Sequence, residues 1–384
     1  MNEQFHADRQ PCSKSLPLLL DFDRSRLAAT LADFGEPPYR CAQLWQWLHR
    51  RCAASYNAMS DLPLSLRRAL AERYALRRFR VAGHRISADG LTEKLRLIAA
   101  EPSATADEIG VETVIICEQR GTRRTVCISC MIGCPVGCAF CATGACGFYR
   151  RLSRGEMVEQ AYIMEEKLRQ ANSKGISHAV FMGMGEPLLN YDETLAAVGL
   201  LADPKGLGLS RRHITVSTVG IPSGIRRLAE EHPEIRLSVS LHAGSQKIRD
   251  LLIPFARRWS LAEIVESIRE FAKVARRRAT IEYCLIDGIN ARATDAQALA
   301  RLLRTVPCKV NLIPYNPVPS YPGRPPPPAH TRAFRDILLC QGIPTTIRIE
   351  KGGDISAACG QLQPCCRPPA TQHRSPNVVG ADLL

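Results

Sequence analysis

CISCMIGCPVGCAFCATGACG, residues 127–147, holds six cysteines in 21 positions, and the rest of the chain is read outward from it. Cys134, Cys138 and Cys141 are spaced C-x3-C-x2-C, with Phe140 directly before the third. Three thiolates this close on a glycine-containing loop can ligate three irons of a 4Fe-4S cube. Such cubes usually take four cysteines, so a set of three leaves one iron open to a small molecule. The competing readings are a structural zinc and a chance group of buried thiols. Structural zinc takes four tetrahedral ligands, often as two pairs, whereas this run is a set of three. Spacing and ligand count together favour the cluster.

Composition narrows the class. The 384 residues suffice for one large core and a small additional domain. With 45% hydrophobic residues the chain is globular, and no apolar run nears the roughly 18 residues of a membrane span. The opening MNEQFHADRQPCSKSLPLLLDF has a short apolar patch without a cleavage pattern, so no signal peptide is expected. Sixteen cysteines in a long chain lacking such a signal point to a reducing cytoplasm rather than a disulfide scaffold. The formal charge of +14, from 51 Lys and Arg against 37 Asp and Glu, favours a polyanionic partner, because phosphate neutralisation releases counterions. The basic residues come in groups: His49–Arg51, Arg77/Arg78/Arg80, Arg123/Arg124, Arg150/Arg151/Arg154, Arg257/Arg258 and Arg276–Arg278. Any one group reads as a solvated helix face; their sum is the signal.

Along the chain, residues 1–20 are expected to form a flexible leader. Residues 21–110 form an N-terminal accessory RNA-binding domain with linker strands. Its helices are PPYRCAQLWQWLHRR, with Leu44, Trp45 and Leu48 at helical spacing, and LPLSLRRALAERYAL, with Leu66, Leu70 and Tyr74. Whether the tryptophans grip nucleic acid or pack a core is open at this point. Residues 76–120 predict strands about an Asp89–Gly90 turn, with the weakly hydrophobic EPSATADEIG at 101–110. Beyond residue 123, strand patterns at 125–130, 178–183, 213–219, 235–242, 279–286 and 308–315 alternate with helical patterns. These helices fall at 154–170, 191–202, 222–232, 260–277, 294–305 and 329–341. Ser153 with Glu156, and Ser260 with Glu263, make capping boxes. Met157, Ala161, Met164 and Leu168 form the apolar stripe of the first helix.

Six βα units imply a parallel sheet with helices outside it. The expected fold is α/β, a partial (β/α)6 barrel over 111–350, preferred to a flat doubly wound sheet because short strands carry polar residues at their C-terminal ends. Pro325–Pro328 reads as an extended connector. One more strand and a glycine-rich loop with Cys359 follow in 345–362, within a C-terminal loop assigned to 351–366. Residues 367–384 read as a disordered tail.

The strand ends carry the candidate chemistry. GMGEPLLN (183–190) offers Gly183 and Gly185 for close backbone approach and Glu186 to accept from a bound ammonium. Ser217, Ser240, His242 and Asn316 are further polar groups on that rim. Taken singly, each is an ordinary satisfied loop residue; together they line one side of the expected barrel. Cys127 lies on the first strand of the repeat, seven residues before the cluster. Cys359, among small residues, can swing, and a thiolate is a nucleophile. Cys117, Cys284, Cys308 and Cys340 read as inert buried thiols.

The sequence resembles the RlmN/Cfr family of radical S-adenosylmethionine (SAM) RNA methyltransferases, the RlmN branch in particular. The resemblance rests on GEPPYRCAQLWQWLHRR, VETV, C-x3-C-x2-C, GFYRRL, GMGEPLLN, STVGI, SLHA, KVNLIPYNPVP, RAFRDIL and DISAACGQL. It implies methylation of an adenine ring carbon, the C2 of adenine 2503 in 23S rRNA and of certain tRNAs. C2 is too electron-poor to attack SAM directly, so a radical route is implied, using two SAM per turnover. One SAM methylates Cys359. The second binds the open iron of the cluster held by Cys134, Cys138 and Cys141, against Gly185, Glu186, Ser217, Ser240, Leu241, His242 and Asn316. Its reductive cleavage yields a radical that takes hydrogen from the S-methyl group of Cys359. The carbon so activated adds to the base, and Cys127 resolves the crosslink through a transient disulfide with Cys359. Glu112, of VETV, matches the family's proton acceptor. The resemblance further implies a cytoplasmic monomer, an electron donor such as flavodoxin, and no membrane partner.

Several positions depart from the family's pattern. The 101–110 stretch and the run between Glu112 and Cys127 are longer, Cys130 stands where a small polar residue is expected, and Cys146, Cys365 and Cys366 are additional thiols. These bear on which RNA is chosen, so a paralogue acting on another RNA is one alternative. Others are C8 methylation as in the Cfr branch, a redox-sensing iron–sulfur protein that only binds RNA, and a radical enzyme acting on protein or small molecules. A pair of chemically poised cysteines argues against mere binding, and the positive charge argues against a small substrate.

Overall fold

Strand and helix alternate along most of the computed structural model, which describes residues 16–99, 110–118 and 123–364. Three helices come first: α1 (Arg24–Asp33), α2 (Tyr39–Trp45), which continues through a π turn to Arg50, and α3 (Leu64–Arg73). Then come β1 (Phe79–Ile86), β2 (Thr92–Ala99), β3 (Gly110–Cys117), β4 (Arg124–Cys127), β5 (Met131–Gly133), α4 (Ala142–Ala145) and β6 (Phe148–Arg151). The repeat continues with α5 (Arg154–Gln170), β7 (His178–Phe181), α6 (Tyr191–Ala202), β8 (Ile214–Thr218), α7 (Pro222–Glu231), β9 (Arg236–Ser240) and α8 (Gln246–Leu252). It closes with α9 (Leu261–Ala275), β10 (Ala279–Leu285), α10 (Ala293–Leu303), β11 (Cys308–Pro314), α11 (Pro328–Cys340) and β12 (Thr345–Ile347).

Ten strands form one sheet in the order β1-β2-β3-β4-β7-β8-β9-β10-β11-β12. The first four pair antiparallel, and from β4 onward every pairing is parallel. The parallel order never reverses, as it must in a doubly wound sheet. One cavity, moreover, touches β3, β4, β7, β8, β9, β10, β11 and β12, from Val114 to Arg348. A flat sheet cannot surround a cavity in this way; the sheet is curled into an open, partial barrel. The strands expected as linkers at 76–120 thus hydrogen-bond into the barrel sheet and extend it by three.

Local chemistry explains the helix starts. Both expected capping boxes form: Ser153 and Ser260 accept from Glu156 and Glu263 backbone N–H, and the glutamates reach back to the serine N–H. Satisfying these otherwise orphaned donors fixes where α5 and α9 begin. The stripe Met157, Ala161, Met164 and Leu168 is buried.

The N-terminal end corrects the extent of the leader and decides the role of the tryptophans. Leu18, Leu19 and Leu20 are at most 2% exposed, against α5, so the leader cannot extend to residue 20. Burying each leucine favours folding by about 2 kcal/mol, which a free leader would forgo. The tryptophans pack inward: Trp45 donates to Asp203 at 3.0 Å and Trp47 to Asp61, and both rings are buried. His49, counted among the basic groups, is also buried, bonded to the Tyr162 hydroxyl at 2.7 Å. Burial holds it down to about 3, so it carries no charge at neutral pH. Part of the arginine excess is neutralised within the protein too, since half-buried Arg150 pairs with Glu156 and Arg154 with Glu193.

The 101–109 part of the acidic stretch, Cys365, Cys366 and the tail lie outside the described residues. Among those described, no helix is long and apolar enough to cross a membrane.

Candidate active site

The three-cysteine loop leaves the sheet at β4 and turns through the β5–β6 hairpin. Cys134 N–H bonds Gly147 O (2.8 Å), closing the hairpin over the loop. Gly133 lies at φ +74°, and a Cβ there would meet the Gly147 carbonyl at 2.1 Å, so only glycine fits. Cys134, Cys138 and Cys141 act on one another electrostatically, and burial pushes all three thiols up, Cys134 to about 12. Ligation requires thiolate, so a bound metal centre would displace three protons. Among the described residues, no three His, Cys, Asp or Glu side chains converge closely enough for a single metal ion. A set of three thiols is one short of the four ligands a structural zinc takes, and suits a 4Fe-4S cluster with one iron left open.

Against this loop stands the end of β7. Gly185 has φ +103°, and a Cβ there would lie 2.7 Å from Met131 and 2.8 Å from the Cys130 sulfur. Cys130 is packed beneath it as a small core residue, its carbonyl accepting from Asn190 at 3.0 Å. Glu186 is buried; burial raises its carboxyl to about 7, opposed by bonds from Val219 N–H (2.8 Å) and Leu188 N–H (3.0 Å). Ser217 is half-buried on β8 and Ser240 ends β9. Leu241 and His242 follow, buried, with His242 at φ +57°. Burial and neighbouring Arg249 bring His242 down to about 3. Its Nδ1 accepts from Cys284 N–H at 2.9 Å, leaving Nε2 to carry the proton, and its ring meets Phe140 edge-on at 4.9 Å.

Cys127, Cys141, Asn316 and Cys359 line a cavity of about 1050 Å³ inside the barrel. Glu186, Ser217, Ser240, Leu241 and His242 do not line it. The Cys359 loop is sewn to the cluster loop, since Ala142 N–H donates to Gly360 O (2.8 Å) and Thr143 Oγ1 to Leu362 O (2.6 Å). Cys127 and Cys359 are free thiols close enough to act on each other electrostatically. Burial, with the Cys359 charge, pushes Cys127 up to about 12; Arg348 opposes this.

Glu112 faces a separate cavity of about 490 Å³ together with Lys94, Ser356 and Gln363. Its carboxylate pairs with Lys94 at 3.0 Å and accepts from Gln363 N–H at 3.1 Å. Of the thiols read as inert, Cys284 and Cys308 are buried and Cys117 is half-buried, but Cys340 is exposed, on a helix face turned outward.

Residues 128–298 match the Radical SAM superfamily, and residues 18–76 match the ribosomal RNA large subunit methyltransferase N-terminal domain. A protein of Moorella thermoacetica named "Probable dual-specificity RNA methyltransferase RlmN" is 44% identical over 90% of this chain and 96% of its own. The chain belongs to the RlmN family of radical SAM RNA methyltransferases. A second RlmN, from Anaeromyxobacter dehalogenans, is 41% identical over 92% of both chains. The crystal structure of a radical SAM methyltransferase from Sphaerobacter thermophilus superposes with a TM-score of 0.86, at 41% identity, over 90% of this chain and 99% of that one.

Within this RlmN-type site, sequence reading passed over Lys94, Arg249 and Arg348. Arg249, fully buried, lies three residues before buried Leu252 on α8, a helix the periodicity did not disclose. A charged residue at a core-facing helix position was the available signal.

Proposed function

We propose that this RlmN-family enzyme methylates C2 of an adenine in RNA, with 23S rRNA and certain tRNAs as targets, by way of a methyl group carried on Cys359. The observation that carries this is the binding of the Cys359 loop to the cluster loop, with Cys127, Cys141 and Cys359 on one cavity wall. Cys134, Cys138 and Cys141 hold the 4Fe-4S cluster, and Gly185, Glu186, Ser217, Ser240, Leu241, His242 and Asn316 orient SAM. When bound, cluster and SAM supply the methyl group and one-electron cleavage chemistry, with two SAM used per turnover.

The chain's own groups divide the remaining work. Cys359 accepts the methyl group as a thiolate and presents it to the base from a loop tethered at 142 and 143. Glu112, paired with Lys94, accepts the proton lost from C2. Cys127 loses its proton and attacks the Cys359 sulfur, forming an S–S bond; the carbon–sulfur bond breaks, its electron pair leaves with the carbon, which is then protonated, and a two-electron thiol reductant reopens the disulfide before the next turnover. His242 Nε2–H and the Glu186 carboxylate supply a donor and an acceptor to the cofactor.

The enzyme works as a cytoplasmic monomer fed by a flavodoxin-type donor. The test is anaerobic reconstitution with SAM and rRNA fragments, followed by nucleoside mass spectrometry. 2-Methyladenosine is expected; 8-methyladenosine alone would overturn the C2 reading. Cys359→Ala protein that still methylated RNA at the normal rate would overturn the carrier role.

A further inference from the structure

Arg249 takes no part in the reading above, yet it is 0% exposed at the centre of the site. Its Nη1 donates to Leu241 O (2.6 Å) and Ser240 O (3.2 Å), and its Nη2 donates to Val219 O. The clamp thus joins the loops that leave β8 and β9. The Nε is buried with no hydrogen-bond partner among the described residues. Asp250 attracts the guanidinium but forms no ion pair with it. Its helix also touches the cysteine loop directly, because Ala139 N–H donates to Leu252 O at 3.0 Å.

A buried cation without a paired anion is costly. Three backbone carbonyls satisfy its donors in part, but they do not neutralise it. Arginine is the side chain that stays charged under such conditions. What the position lacks is negative charge, and the three cysteines supply that charge when they bind as thiolates.

We propose that Arg249 is the internal counter-charge of the three-cysteine site: from the helix that touches the cysteine loop it favours the electron-rich state of the bound cluster, while its clamp fixes the loops carrying Ser240, Leu241 and His242. This rests on the cluster reading. A positive charge near a redox centre stabilises its reduced form, so removing the charge lowers the reduction potential.

The test compares full-length wild type, Arg249→Lys and Arg249→Gln after anaerobic reconstitution with iron and sulfide. It reads iron per chain, midpoint potential under a low-potential reductant, and thermal unfolding of the metal-free proteins. Lysine keeps the charge and loses most of the clamp; glutamine loses both. Wild type and Arg249→Lys should take up equal iron and share a potential. Arg249→Gln should bind less than half the iron or, where loaded, show a lower potential. Matching iron content and potential in Arg249→Gln and wild type would sink the proposal. So would equal cluster loss in Lys and Gln variants whose metal-free forms melt early together, leaving Arg249 a backbone clamp alone. A wild-type protein that takes up no cluster would instead overturn the reading of the cysteines.

Discussion

Asn316 donates a hydrogen bond of 3.0 Å from its side-chain amide to the backbone carbonyl of Cys359. The bond ties the end of β11 to the loop bearing the Cys359 thiol, and Gln361 adds a second tether to Pro317 O at 3.2 Å. Cys359 is thus positioned by amide contacts from a loop rather than by a strand. Asn316→Ala should remove about 1 kcal/mol of restraint. Since misplacing a reacting group by about 1 Å can cost roughly 100-fold, turnover should fall by about 10- to 100-fold with iron content unchanged. Hydrogen exchange at 357–361 should quicken in the variant. Lost turnover with unchanged exchange would mean that Asn316 acts through the cofactor alone and does not position Cys359.

Lys94 and Glu112 form a pair whose side chains are only 8% and 12% exposed, and Lys94 also donates to Ser356 O at 3.0 Å. Removing one member of a buried pair leaves an uncompensated charge, which typically costs about 3–5 kcal/mol. Lys94→Met should destabilise the metal-free protein by about that amount in urea unfolding. Lys94→Met/Glu112→Leu should recover most of the loss while remaining inactive. A double variant no more stable than the single would mean that packing, not charge, is at stake.

Glu159 on α5 accepts from Arg78 N–H (2.8 Å) and Phe79 N–H (2.8 Å), fastening the start of β1 to the core. Burial raises its carboxyl from 4.5 to about 7, with Arg77 and the backbone bonds opposing. The folded protein therefore holds this proton more tightly than the unfolded chain does. From this group, stability is greatest below about pH 4.5 and declines as pH rises toward 7. Glu159→Gln should abolish that decline. Stability curves of wild type and variant that run parallel between pH 4.5 and 7 would contradict the assignment.

The barrel was legible because each βα unit shows in apolar periodicity, and two of its helices add a start signal, Ser153 with Glu156 and Ser260 with Glu263. The three thiols were legible because a loop ligand set is a local spacing. What stayed hidden depends on distant partners. Glu112 and Lys94 meet across β2 and β3, and Gln363 reaches Glu112 from 251 positions along the chain. Helix α8 has only seven residues, too few for periodicity to show. Its buried arginine runs against the usual polarity pattern, because its partners are backbone carbonyls, which no side-chain pattern reveals. The tryptophans of α2 could equally have faced RNA or core, and Asp203, the acceptor that decided for Trp45, lies 158 residues away.

Cys127 ends β4 facing the barrel cavity, and burial holds its thiol at about 12. Burial disfavours its thiolate, so the proposed attack on the Cys359 sulfur needs the Cys127 proton to leave first. Replacing it removes the nucleophile of the proposed resolving step without touching Cys134, Cys138, Cys141 or Cys359. Cys127→Ala should therefore still consume SAM and join the RNA, but stop there, with Cys359 covalently bound to the base. On a denaturing gel the adduct should run as a retarded, nuclease-sensitive species at up to one equivalent per enzyme, absent from Cys359→Ala. Released methyladenosine should fall at least 100-fold, since an unactivated solvent thiol lacks the effective concentration of a neighbouring one. Free product at the wild-type rate, without adduct, would remove Cys127 from the mechanism and leave its place on the cavity wall a matter of packing.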